Sequence, residues 1–503
     1  MFSSSGQETA AVGNVTQMFA GIKSNMTIQL DNHYATRVYT SASSISGHTK
    51  IQVAKDTPFD KVQILLLGTT KTRMDGVRAP HTTSHTFLKL EMPIPDSSYP
   101  GSRIYRAGQT YDIPFNFVVP NQLTINACNH KVDTSAVHDT HLNLPPSMGP
   151  WSGQDDMSPE MARVEYCIVA RVLAEEDRHG KRARILEASQ QIRVLPAHAE
   201  HAPLAIGPKD AVYKMSKSKT MRKSLLSGKV GKVTVSAKQP GAIMLSPDGA
   251  TASKTVAHVD LVFDPASAQS LPPRVIGVSS KVTALTYYCN GAIRSFPNMG
   301  DWTRVYGADS RGSYPTATSI SAIPIDNCNW QQSLKGETRR GSTYSADTAS
   351  TNGSDILSDT DRSNHDESRS RRGSKDSTKY ASPVYHTASL KIPIELPTHK
   401  KTFIPSFHSC IASRAYVLWM TVSLSCSGNS YSIMVGVPLQ VGVESSDAVL
   451  ESLEPPSFET AVQEAEIDDF LRPRSLVMPD VVFERHGLPG YADLMSGRMV
   501  AVN

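Results

Sequence analysis

The 503-residue sequence contains no apolar run long enough to cross a membrane as a helix. Its most apolar stretches, Ile64–Leu67 and Ala415–Leu424, fall far below the roughly 18–20 residues such a span needs. The first twenty residues (MFSSSGQETAAVGNVTQMFA) have neither a basic start nor an apolar core, so they do not read as a secretory leader, and the chain is expected in the cytoplasm. Cysteine is scarce: Cys128, Cys167, Cys289, Cys328, Cys410 and Cys426 show no CxxC spacing, and in a cytosolic chain they read as free thiols, mostly small buried hydrophobes. Without a leader, the sequons Asn14-Val-Thr16 and Asn25-Met-Thr27 are chance matches. Net charge of one sign is small as well. A balance of +4 over this length argues against a dedicated nucleic-acid binder.

Catalytic motifs are also missing. There is no GxSxG, HExxH or GxGxxG. Gly228-Lys229-Val230-Gly231-Lys232 looks phosphate-friendly, but Leu226 and Val233 stand where a P-loop needs Gly and Ser or Thr. His130, His138 and His141, and the pair His198 and His201, sit in polar, loop-like stretches and read as surface histidines rather than zinc ligands. The sequence therefore predicts no enzyme, no cofactor and no metal.

What is present is alternation of period two. Ile51 and Val53 share one face; so do Val62, Ile64 and Leu66; Tyr111, Ile113, Phe115, Phe117 and Val119; and Val164, Tyr166, Ile168, Ala170 and Val172. Such runs bury one face and wet the other, as antiparallel sheets do. Turn residues separate them at Gly47, Pro58, Gly76, Pro95-Asp96, Pro100-Gly101 and Pro120-Asn121. A second β-rich region begins near Gly228, with Val233, Val235 and Ala237; Ala257, Val259, Leu261 and Phe263; Val282, Ala284, Thr286 and Tyr288; and Val435, Val437, Leu439, Val441 and Val443. Pro438 inside the last run points to an edge strand or a bulge. A chain of this length exceeds one core, so two antiparallel β-sandwiches in tandem are expected.

Three segments fall outside this pattern. Lys214–Lys232 (KMSKSKTMRKSLLSGKVGK) is basic, holds no acidic residue, and lies where the two sandwiches should join. Its cations Lys214, Lys217, Lys219, Arg222, Lys223, Lys229 and Lys232 suit anionic lipid, acidic or phosphorylated peptide tails, or ubiquitin attachment; the plainer alternative is a solvated linker. Ser333–Ser382 has too few large apolar residues to offset the entropy of ordering it, and is expected to be a disordered insertion. Within it, Ser342 and Ser374 each follow an Arg-Arg-Gly and are candidate phosphorylation sites. After Glu444 the chain becomes acidic and proline-punctuated, which reads as a tail.

The ordered set Tyr105–Leu123 (YRAGQTYDIPFNFVVPNQL), Leu144–Gly149 (LPPSMG), Ala162–Val172 (ARVEYCIVARV), Phe403–Ser425 (FIPSFHSCIASRAYVLWMTVSLS) and Ile433–Val443 (IMVGVPLQVGV) resembles the arrestin fold. In flavour it is similar to the arrestin-related trafficking adaptors of fungi, the alpha-arrestins. The resemblance implies a flexible start over 1–20, an arrestin-like N lobe over 21–200, a basic linker over 201–228, a C lobe over 229–445 and a flexible acidic tail over 446–503. It also implies an adaptor that engages cytoplasmic tails of membrane transporters or receptors, acting from the cytoplasm and transiently at the plasma membrane or endosomes. Tail motifs in that family recruit a HECT-type ubiquitin ligase through its WW domains. Here the candidates are Pro455-Pro456-Ser457-Phe458, with Phe in the tyrosine place, and Leu488-Pro489-Gly490-Tyr491, with a single proline. These departures keep a second expectation open: an arrestin-fold scaffold for signalling or sorting without ligase recruitment.

Overall fold

In a computed structural model the alternating runs become antiparallel strands. It describes residues 24–75, 80–151, 153–176, 182–204, 206, 210, 212–223, 228–297, 302, 311–334 and 383–445. The fold is nearly all β, and among the described residues the one α-helix is Ser135–His141. Thr134 caps it, accepting a hydrogen bond from the Val137 N–H through its side chain.

In the first part of the chain, a three-stranded sheet (Asn25–Leu30, Ser44–Gln52, Thr110–Val118) accompanies a five-stranded one. The second sheet is ordered Val38–Tyr39, Arg182–Val194, Ala162–Glu176, Lys61–Met74, His81–Glu91. Ile45, Ile51, Ile113, Phe115 and Phe117 from the first sheet share one hydrophobic cluster with Val62, Ile64, Leu66, Tyr166, Ile168 and Val172 from the second. These are the positions that period-two alternation assigns to the interior. Tyr111, at the start of its run, is only partly buried. Tyr166 keeps its hydroxyl satisfied inside the core by donating to the Pro145 carbonyl at 2.6 Å.

The later strands build a second pair of sheets. One is ordered Ser216–Arg222, Lys229–Ala237, Thr255–Pro265, Val384–Ile394, Gln331–Leu334; the other centres on Arg274–Cys289 and Ala412–Cys426, flanked by Arg311–Pro324, Phe407–His408 and Asn429–Leu439. Their inner faces meet in a cluster containing Val233, Val235, Leu261, Phe263, Val282, Leu418, Met420, Val435 and Val437. Among the described residues Asn429–Leu439 forms a ladder only with Ala412–Cys426, its other edge carrying an isolated bridge from Gly436 to Lys214, so Pro438 lies at a sheet edge, where a missing backbone N–H costs no ladder bond.

Two boundaries shift from the expected ones. Ser216–Arg222 is a strand rather than linker: it pairs with Lys229–Ala237, although Met221 is its one buried side chain. Ser333 and Leu334 also belong to a strand, opposite Tyr385 and Val384, so the chain leaves the sheet and returns to it at facing positions. Residues 1–20, the rest of the expected insertion with Ser342 and Ser374, and the tail with Pro455, Pro456, Phe458, Leu488, Pro489 and Tyr491 lie outside the described residues.

Candidate functional site

The basic segment is the most distinctive surface that the fold positions. Lys214 ties it down through reciprocal backbone hydrogen bonds with Gly436, at 3.0 and 2.9 Å. The chain then runs as the terminal strand of its sheet, with Lys217 opposite Val235, Lys219 opposite Val233, Thr220 opposite Lys232 and Arg222 opposite Lys229. A register shift separates Met221 from Arg222. The far end is fastened as firmly as the near one. The Arg222 N–H donates to the Tyr431 hydroxyl at 3.0 Å, that hydroxyl donates to the Arg222 carbonyl at 2.7 Å, and Asn429 Nδ2 donates to the Lys223 carbonyl at 2.8 Å. Lys219 reaches over the Tyr431 ring with Nζ 5.7 Å from its centroid, a cation–π contact.

Lys214, Lys217, Lys219, Arg222, Lys223, Lys229 and Lys232 are all exposed. The structure thus brings all seven sequence-predicted cations onto one hairpin and its approach. Lys232 stands opposite Asp264 on the neighbouring strand, whereas Arg222 stands opposite Lys229. Like charges facing each other across a ladder are unfavourable, so packing alone gives no reason for that pair. A row of lysines on a terminal strand also deters edge-to-edge aggregation. At the far end of the strand, Arg222 and Lys229 are both exposed.

The seam between the earlier and later strands forms a second feature that the sequence did not reveal. Arg414 is fully buried, donating from Nη1 to the Asp156 carbonyl at 3.0 Å and from Nη2 to Ser158 Oγ at 2.7 Å. Lys401 pairs with the Asp155 carboxylate, which this contact and the Met157 N–H hold below the usual carboxylate range. Thr72 Oγ1 donates to the Cys289 carbonyl at 2.8 Å, and the Asp133 N–H to the Arg294 carbonyl at 2.9 Å. The signal for Arg414 was available in principle: it is a lone cation inside the run Ile411–Leu424.

Along the same seam lies a cavity of about 450 Å³, lined by His198, His201, Phe407, His408, Arg414 and Tyr416 among others. The histidines correct the expectation of a wet surface. His141 and His198 are buried, His130 is half-buried, and His201 is exposed. Burial, then the neighbouring His201, pulls His198 down to about 4; burial, then His130, pulls His141 down to about 4. His198 and His201 face each other through their Nε2 atoms at 3.1 Å, a contact in which at most one nitrogen can donate. Cys128, Cys289, Cys410 and Cys426 are buried. No helix among the described residues is long and apolar enough to cross a membrane. Comparison of the chain with protein-family models and with curated protein sequences finds no match.

Proposed function

We propose that the chain is a non-catalytic, arrestin-like adaptor. It binds cytoplasmic parts of membrane transporters or receptors, promotes their ubiquitination, and carries them into endocytic trafficking between the plasma membrane and endosomes. The observation that carries this reading is the basic terminal strand, fastened at both ends, with Lys217, Lys219, Arg222 and Lys223 exposed along it. Fixing its backbone before any partner arrives removes part of the ordering cost of binding. An acidic or phosphorylated cytoplasmic tail is the natural occupant, because phosphate adds about −1.5 to −2 charges to a flexible segment. The same cations attract an anionic membrane surface at about 1 kcal/mol each, which would hold the protein near its cargo. Ubiquitination falls to a recruited WW-domain ligase, so the reading calls for no cofactor.

Proximity labelling with the full chain in its native cell tests this. Wild type is expected to label transporters or receptors, and changing Lys217, Lys219, Arg222 and Lys223 together to Ala should lose most of that labelling. Labelling confined to soluble proteins, or unchanged by the substitutions, would overturn the reading. The second reading, an arrestin-fold scaffold without ligase recruitment, draws on Phe458 in the tyrosine place and the single proline before Tyr491. Cargo labelling without any WW-domain ligase favours it.

A further inference from the structure

Four side chains that the adaptor reading does not use converge beside the seam. Cys128 lies after the strand Thr110–Val118, His130 follows two residues later, His141 ends the helix Ser135–His141, and Cys410 sits in the turn between Phe407–His408 and Ala412–Cys426. One donor atom from each lies within 4.8 Å of all the others. Cys128 Sγ is 3.4 Å from His130 Nε2 and 3.5 Å from His141 Nδ1. A tetrahedral zinc ion, with bonds of about 2.3 Å to sulfur and about 2.0–2.1 Å to nitrogen, sets sulfur and nitrogen about 3.5 Å apart. The two separations from Cys128 Sγ match sulfur–nitrogen edges of such a tetrahedron.

The surroundings select the same atoms. His130 Nδ1 lies 3.2 Å from the Lys131 carbonyl, a contact that takes the ring proton and leaves the Nε2 lone pair facing Cys128. His141 is 1% exposed, yet neither ring nitrogen meets an oxygen: Nδ1 faces the Cys128 sulfur, and Nε2 is buried without a hydrogen-bond partner. A core histidine present only for packing would be expected to satisfy at least one nitrogen with an oxygen. Apolar side chains close the site, since Cys128 and Cys410 belong to a cluster with Tyr287, Ile293, Trp302 and Ile411. Two sulfurs and two imidazoles, all buried but the half-buried His130, are the donor set of a structural zinc centre rather than a catalytic one with an open position.

We propose that Cys128, His130, His141 and Cys410 bind one zinc ion in tetrahedral coordination, joining the loop and helix after Thr110–Val118 to the turn that precedes Ala412–Cys426. The ion would be a staple rather than a reagent. Its ligands come from segments remote in sequence, so binding holds the earlier and later sheets in register at the seam. The proposal does not depend on the adaptor reading.

Metal analysis of the full chain, purified under mild reduction without chelators or a histidine tag, tests it. Wild type is expected to carry about one zinc per chain. Cys128→Ser with Cys410→Ser should lower that at least about fivefold, because both thiolates are lost. Cys167→Ser with Cys426→Ser should leave it unchanged. Should the first variant fail to fold, cobalt added to metal-free wild type decides the matter. Thiolate-to-cobalt charge-transfer bands and intense visible absorption, both displaced by zinc, are the expected signature of a tetrahedral sulfur–nitrogen site. Wild type with neither zinc nor that spectrum, zinc undiminished in a folded Cys128→Ser, Cys410→Ser variant, or a Cys128–Cys410 disulfide in freshly isolated protein would overturn it.

Discussion

Replacing Arg414 tests the packing of the seam most directly. Its guanidinium is fully buried and makes two charge-assisted donor contacts across the seam, to the Asp156 carbonyl and to Ser158 Oγ. Hydrogen bonds to a charged group contribute about 1.5–3 kcal/mol each. Arg414→Ala removes both, leaves the Asp156 carbonyl and the Ser158 hydroxyl without this donor, and opens a void beside the Tyr416 ring. A loss of about 3–6 kcal/mol is expected, the two charge-assisted contacts taken together. Arg414→Lys keeps the charge but not the fork, and should lose one contact, about 1.5–3 kcal/mol. Lys401→Ala is the control, since its ion pair with Asp155 is partly exposed (31% and 57%) and should contribute about 1 kcal/mol or less. Urea unfolding followed by tryptophan fluorescence and circular dichroism measures all three. If Arg414→Ala costs no more than Lys401→Ala, or Arg414→Lys costs as much as Arg414→Ala, the bonding assigned to the guanidinium is wrong.

Gly231 stands opposite Pro265 in the ladder, and a Cβ there would meet the ring of Phe263, two residues along that strand, at 2.4 Å and the Asp264 carbonyl at 2.6 Å; Gly231→Ala should therefore cost about 1–3 kcal/mol in a thermal melt, while Gly228→Ala, in open space, should be neutral. His198 has a folded-state value of about 4, below its ordinary 6.5, so its contribution is full above about 6.5 and is lost as pH falls toward 4; His198→Gln should flatten the decline of unfolding free energy across that window, and an unchanged slope would refute this. Wild type should bind acidic liposomes more weakly as salt rises, and changing Lys217, Lys219, Arg222 and Lys223 to Ala should lower the binding; equal sedimentation would reduce the strand to an edge guard. A peptide of residues 446–503 should bind a tandem WW protein, and Phe458→Tyr should tighten it about 2- to 13-fold by restoring a hydroxyl contact of about 0.5–1.5 kcal/mol. Absence of binding even with that substitution would leave the scaffold reading standing.

Local pattern alone determined which residues enter the cores. A strand with one wet face must alternate, so Val62, Ile64 and Leu66, or Val259, Leu261 and Phe263, announce their burial without reference to any partner. That rule fails where a strand buries almost nothing. Ser216–Arg222 reads as a linker because only Met221 faces inward, and what makes it a strand is its ladder with Lys229–Ala237 and the anchors at Gly436, Asn429 and Tyr431, all distant in sequence. The histidines misled for a related reason. Polar neighbours make the stretches around His141 and His198 look wet, but burial is decided by what packs over a loop, and here the later strands and their connecting turns cover it. Cys128 and Cys410 have no spacing motif because they are brought together by the seam and not by a turn. Periodicity is a property of neighbouring residues and survives in the sequence; convergence of remote donors is a property of sheet packing, and only the tertiary structure decides it.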